Sequence, residues 1–118
     1  MKSTRLIIFI VLILIFIIGT TIVQNSSVIR VRAMKNQWKF VPDTISARAG
    51  QSVELRIYNE DAYPHGFFIS ELGINEILIP EKETIIHIKP KSSGTYGFYC
   101  SVVCGSGHYR MSGRLMVK

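Results

Sequence analysis

Apolar residues are distributed in two different ways along this 118-residue chain. Over residues 6–23 they are continuous, a run of Ile, Leu, Val and Phe broken only by Gly19, Thr20 and Thr21. A helix over that run would be about 27 Å long at 1.5 Å per residue, enough to cross a thin or locally adapted bilayer. From Val28 onward, apolar and polar positions alternate instead. Ile29, Val31 and Ala33 interleave with Arg30, Arg32 and Met34, and Val53, Leu55 and Ile57 interleave with Glu54, Arg56 and Tyr58. This period of two marks half-buried strands. Further strands are predicted at 44–48, 66–70, 84–89, 96–100 and 114–118, between turn signals at Pro42-Asp43, Ala49-Gly50, Pro80, Gly94 and Gly113. No helical periodicity of useful length appears in this part, and seven or so short strands predict an all-β sandwich.

The organisation that follows is a cytoplasmic N-terminus at 1–5, a transmembrane anchor at 6–23, a short polar linker at 24–27 and one folded domain at 28–118. Lys2 and Arg5 precede the apolar run, so the positive-inside tendency places the N-terminus in the cytoplasm and the domain on the outer face of the cell membrane. A cleaved signal peptide is the rival reading. Its apolar core is ordinarily shorter, and a small-x-small cleavage site follows it; neither feature is clear here. A domain of about 95 residues buries only a modest core, and a metal joining distant segments would add to its stability.

The net charge is +6; with Lys2 and Arg5 set aside, twelve cations face eight anions, leaving +4. The cations are scattered, with no run and no arginine–aromatic stripe to track phosphates, which argues against a nucleic-acid partner. Glu71, Glu76, Glu81 and Glu83 fall within one stretch and read as solvated loops.

The densest chemistry is Cys100-Ser-Val-Val-Cys104-Gly-Ser-Gly-His108-Tyr-Arg-Met111, four metal-binding side chains within twelve residues, between two predicted strands. Thiolate, imidazole and thioether together favour copper, and Met is an uncommon ligand for a structural zinc. In an exported domain the two cysteines have an alternative use as a disulfide, if the loop is tight enough. Asp61-Ala-Tyr-Pro64-His65-Gly-Phe-Phe68 places a further histidine at the start of a strand, where it could reach the loop across the sandwich.

With the turns and strands around it, this constellation resembles the CuA domain of cytochrome c oxidase subunit II. The resemblance runs through Phe40, Pro42, Ile45, Gly50, Val53, Asp61, His65-Gly-Phe67, Ile74-Asn75, Pro80, Gly94-Thr-Tyr96, the cysteine loop, Gly113 and Val117. It implies a cupredoxin-like Greek-key β-sandwich holding two copper ions. By that resemblance Cys100 and Cys104 bridge the pair, His65 and Met111 complete one copper, and His108 with the backbone carbonyl of Val102 completes the other. It further implies an electron-transfer subunit with no oxygen-reducing site of its own. Such a subunit takes electrons from a soluble donor, such as cytochrome c or a small copper protein, and passes them to a haem-binding oxidase subunit I in the membrane. A free-standing anchored copper carrier or assembly protein, and the CuA subunit of a nitric oxide reductase, are the alternatives.

The sequence departs from the resembled pattern in three places. Val102 stands where many oxidase subunits carry a glutamate that helps bind magnesium. A single apolar segment replaces the usual helical hairpin, as in B-type oxidases. The aromatic run that meets cytochrome c is absent, Trp38 being the only indole, and Trp38 reads as packing rather than as part of the site. His87 reads as a sheet-face residue, and Met34 and Met116 as packing rather than ligands.

Overall fold

The computed structural model describes residues 1–18 and 26–118. Helix α1 covers Lys2–Ile18, 17 residues. Among the described residues no helix is long and apolar enough to cross a membrane. The expected anchor extends over residues 19–23, which lie outside the described residues, as do positions 24 and 25 of the expected linker.

Nine strands follow among the described residues: β1 Ser27–Ala33, β2 Phe40–Val41, β3 Thr44–Ala47, β4 Val53–Asn59, β5 His65–Ile69, β6 Ile74–Leu78, β7 Glu83–Ile88, β8 Gly94–Tyr99 and β9 Ser112–Val117. They form a four-stranded sheet ordered β2-β1-β4-β7 and a five-stranded sheet ordered β3-β9-β8-β5-β6. β1 runs parallel to β4, and β3 parallel to β9. The all-β sandwich expected from the alternation is therefore present. β1 begins at Ser27, inside the expected linker, because Ser27 pairs with Val53 and donates its N–H to the Ser52 carbonyl at 3.1 Å.

The alternation places the core. Val31 and Ala33 of β1, Leu55 and Ile57 of β4, and Ile86 and Ile88 of β7 face inward from the first sheet. Ile45, Phe67, Ile69, Phe98, Leu115 and Val117 answer from the second. At the centre Phe40 meets Phe67 and Phe98 edge-on, with ring centroids 5.7 and 5.5 Å apart, and Phe67 lies 5.0 Å from Phe98. Each such pair adds a preference of roughly 0.5–1.5 kcal/mol to simple burial.

Two strands were not predicted. β2 has two residues, too few for a period. In β6 the alternation is inverted: Glu76 shares its side with buried Leu78, while Ile77 points outward and is 63% exposed. Its place at the sheet edge lets the Glu76 carboxylate reach water. Met116 faces solvent at 38% exposure instead of packing. His87 is exposed on the outer face of β7, as its phase predicts.

β8 and β9 are antiparallel, and their last paired residues, Tyr99 and Ser112, bracket the cysteine loop. His65 opens β5, the next strand across from β8. The aromatic cluster thus supports the strands that present the loop. Phe98→Ala should lower stability by about 3–5 kcal/mol, read as a fall in the urea midpoint at unchanged slope. A loss below about 1 kcal/mol would show that the cluster does not anchor this end of the sandwich.

Candidate metal centre

Cys100 leaves β8 and Met111 precedes β9, and the Cys100 N–H donates to the Met111 carbonyl at 2.9 Å, adding one rung beyond the ladder. That bond closes the neck of the loop. Within it, His108–Arg110 forms a 3-10 turn, with His108 N–H donating to the Gly105 carbonyl at 3.1 Å. Four of the sequence-predicted side chains, His65, Cys100, Cys104 and His108, converge. Cys100 Sγ lies 3.5 Å from Cys104 Sγ and 3.8 Å from His65 Nδ1, and Cys104 Sγ lies 3.6 Å from His108 Nδ1. The Val102 carbonyl oxygen is 3.1 Å from Cys100 Sγ. Both cysteines are free thiols. Met111 is fully buried at the exit of the loop.

These donors form a row, imidazole–sulfur–sulfur–imidazole. Two atoms bound to one first-row ion at about 2.0–2.3 Å each can be at most about 4.6 Å apart, and commonly lie 3–4 Å apart. Each adjacent pair in the row meets that condition. His65, Cys100 and Cys104 offer donors mutually within 4.8 Å, a set that His108 does not join. The donor chemistry, soft sulfur with imidazole, fits copper.

Electrostatics distinguish the two thiols. Burial alone would raise Cys100, but hydrogen bonds from His65, the Gly66 N–H at 3.3 Å, the Val102 backbone and Cys104 together bring it down to about 6. Cys104 is pushed up to about 12, first by burial, then by its hydrogen bond to Cys100 and the negative charge there, with Asp61 adding to it. Cys100 is therefore the more readily ionised thiol and Cys104 the less, and a metal bound here would displace the thiol protons.

Three further contributors emerge from the geometry. Asp61, 1% exposed, holds His65 Nε2 at 2.7 Å. Gly66 sits where any Cβ would run into the ligand loop, against Ser101 Oγ and 2.7 Å from the Ser101 nitrogen. Trp38, expected to be packing rather than part of the site, lies against the ligand loop: Nε1 donates to the Cys104 carbonyl at 2.7 Å, and the ring fills the space beside Gly105 and Gly107. A Cβ at Gly105, which has φ +119°, would come within 2.9 Å of the indole. Trp38 itself has φ +47°, uncommon for a bulky residue and costly by roughly 1–3 kcal/mol. The aspartate was visible in the sequence four positions before His65. Nothing in the residue pattern flagged the turn that carries Trp38 to the loop.

Gly66→Ala should push the ligand loop away from β5. The expected result is a folded chain, destabilised by about 1–3 kcal/mol, that takes up copper substantially less completely than the parent. Equal copper content with unchanged stability would show that the close approach is not required.

Comparisons with known proteins bear on the fold. The sequence matches the family described as "Cupredoxin-like domain" over residues 6–117. It is 29% identical over 79 residues to cytochrome c oxidase subunit 2 of Thermus thermophilus, covering 67% of this chain and 58% of that one. The chain thus spans a little over half the length of that relative. It is 31% identical over 77 residues to plastocyanin of Ulva prolifera, covering 58% of this chain and 78% of that one. Among solved structures, auracyanin A, a "blue" copper protein from Chloroflexus aurantiacus, superposes with a TM-score of 0.67 at 17% identity. That match covers 80% of this chain and 100% of auracyanin A, and it establishes likeness of fold.

Proposed function

We propose that this chain, which belongs to the cupredoxin-like domain family, is the electron-transfer subunit of a terminal haem–copper oxidase and holds a binuclear CuA centre. The family fold implies copper binding. The observation that carries the binuclear reading is the row of donors, with two sulfurs 3.5 Å apart at its middle and one imidazole beside each. A mononuclear blue site takes one cysteine, two histidines and a weak axial methionine. That arrangement would leave one of these two buried cysteines without a role. Similarity to an oxidase subunit 2 supports the same choice.

Bound copper would supply a one-electron couple. The chain's own residues do the rest. Cys100 and Cys104 would hold the copper from within the loop, His65 and His108 would cap it on either side, and Met111 and the Val102 carbonyl would complete it. His65, Met111 and both cysteines are buried, which keeps water away from the donors and limits solvent rearrangement when the charge changes. Of the histidine and cysteine donors only His108 is not buried, and the neighbouring Tyr109 and Val103 are 93% and 81% exposed. This is the face open to a soluble electron donor. The apolar segment at 6–23 is the proposed membrane anchor. It keeps the domain on the outer surface beside a haem-binding partner subunit.

The test is copper content and spectroscopy of the purified chain. Two coppers per chain and an unpaired electron coupled equally to two copper nuclei are expected; one copper with a simple four-line pattern would overturn the binuclear reading. Cys104→Ser should abolish the paired signal. Met111→Leu should retain copper but shift its potential, since a weak axial ligand tunes more than it holds. Equal loss of metal in both variants would count against these assigned roles.

A further inference from the structure

The buried polar residues of the domain form a chain that ends on one of the two imidazoles. Asn59, Asp61 and His65 are 0%, 1% and 0% exposed. Asn59 Nδ2 donates to the carbonyls of Tyr63 at 2.9 Å and Leu78 at 3.0 Å, and Asn59 Oδ1 accepts the Asp61 N–H at 3.0 Å. The Asp61 carboxylate is engaged at both oxygens, Oδ1 by the Asn36 N–H at 2.8 Å and Oδ2 by His65 Nε2 at 2.7 Å. Asn36 has φ +57°, a conformation its residue type tolerates, and it lies on the turn that also carries Trp38. No buried side-chain nitrogen or oxygen among the described residues is left without a partner.

With a metal on Nδ1, the one hydrogen left on the neutral His65 ring would reside on Nε2, facing a carboxylate that when ionised only accepts hydrogen bonds. His108 differs. Its Nδ1 approaches Cys104, its ring is half-buried, and among the described residues Nε2 has no hydrogen-bond partner. The centre therefore has one imidazole clamped by a buried negative charge and one that is free to meet solvent.

We propose that Asp61 is a positioning residue for the metal centre: it fixes the tautomer and ring plane of His65, and its charge lowers the reduction potential of whatever copper His65 holds. In a one-electron couple the oxidised centre carries one more positive charge than the reduced one. A fixed anion hydrogen-bonded to a ligand, in a site shielded from water, favours the oxidised form. It also makes the imidazole a stronger donor, as carboxylate partners of metal-bound histidines do. The inference rests on the proposed copper centre but makes a separate claim about it.

The experiment compares the copper-loaded parent chain with Asp61→Asn and Glu60→Gln by potentiometry and copper content. Asp61→Asn removes the charge while keeping the size and one acceptor, and the potential should rise. Glu60→Gln removes one carboxylate charge from the adjacent residue, which is half-buried but touches no candidate ligand and is offset by its ion pair with Arg32 at 2.9 Å, and should move the potential much less. Equal shifts in the two variants, or none in Asp61→Asn, would overturn the proposal. A second measurement needs no variant. In the parent the Nε2 proton of His65 should be resolved by NMR and exchange slowly with water, while that of His108 exchanges fast; comparable exchange at both would overturn the clamp. If the parent loads one copper instead of two, the binuclear reading fails alone, and the Asp61 comparison is still read from the potential of that single ion. If it loads two and Asp61→Asn leaves the potential in place, the Asp61 inference fails alone.

Discussion

The hydrogen bond from the Cys100 N–H to the Met111 carbonyl is the constraint on which the centre depends. It joins the first and last candidate ligands of the loop through the backbone. The loop then leaves β8 and re-enters β9 in fixed register, however its interior is arranged. Without that rung the two cysteines would belong to a flexible segment, and their sulfurs would be held together only by whatever they bind. With it, the loop is a closed extension of a sheet whose inner face packs on Phe40, Phe67 and Phe98. The aromatic core, the β8–β9 ladder and the donor row are one continuous mechanical unit.

A second layer of restraint comes from outside the loop, through a single turn between β1 and β2. Asn36 grips Asp61, which grips His65; two residues on, Trp38 grips the Cys104 carbonyl and covers Gly105 and Gly107. The turn thus touches both halves of the site, and two of its residues have positive φ. Strained backbone concentrated at this point is consistent with a segment shaped by the site rather than by the sheet it connects. The distinction matters for stability as well. A buried Asp–His pair would be costly if half-satisfied, and the Asn36 and Asn59 contacts complete its hydrogen bonding.

Much of this was legible in the residue pattern, for a physical reason. Strands β1, β4 and β7 announce themselves because alternation in the sequence mirrors burial on two faces. The ligands of the loop are legible because residues 100–111 are contiguous, so their chemistry and spacing can be read without knowing the fold. What could not be read depends on contacts between distant segments. β6 breaks the usual pattern because at the sheet edge Glu76 stays exposed on the side it shares with buried Leu78. Trp38 looked like packing because its partner carbonyl lies 66 residues away. Asp61 stands four residues before His65 in the sequence, yet its role appears only once burial removes water as a competing partner. Gly66 is conspicuous only when Ser101 is seen to occupy the volume its side chain would need.

The parallel pairing of β3 with β9 brings Ile45 opposite Leu115, and β1 with β4 brings Ile29 opposite Leu55. Such ladders join remote parts of the chain and so close large loops before any contact energy is returned. The β8–β9 hairpin is local by comparison and can form early, carrying both cysteines with it. His65 reaches Cys100 across 35 residues, and the Asp61 carboxylate beside it is held in turn by the Asn36 N–H of the β1–β2 turn. In the order of folding, then, the two sulfurs should be neighbours well before the first imidazole is oriented. By loop-closure cost alone, the centre would mature from its thiolate half outward.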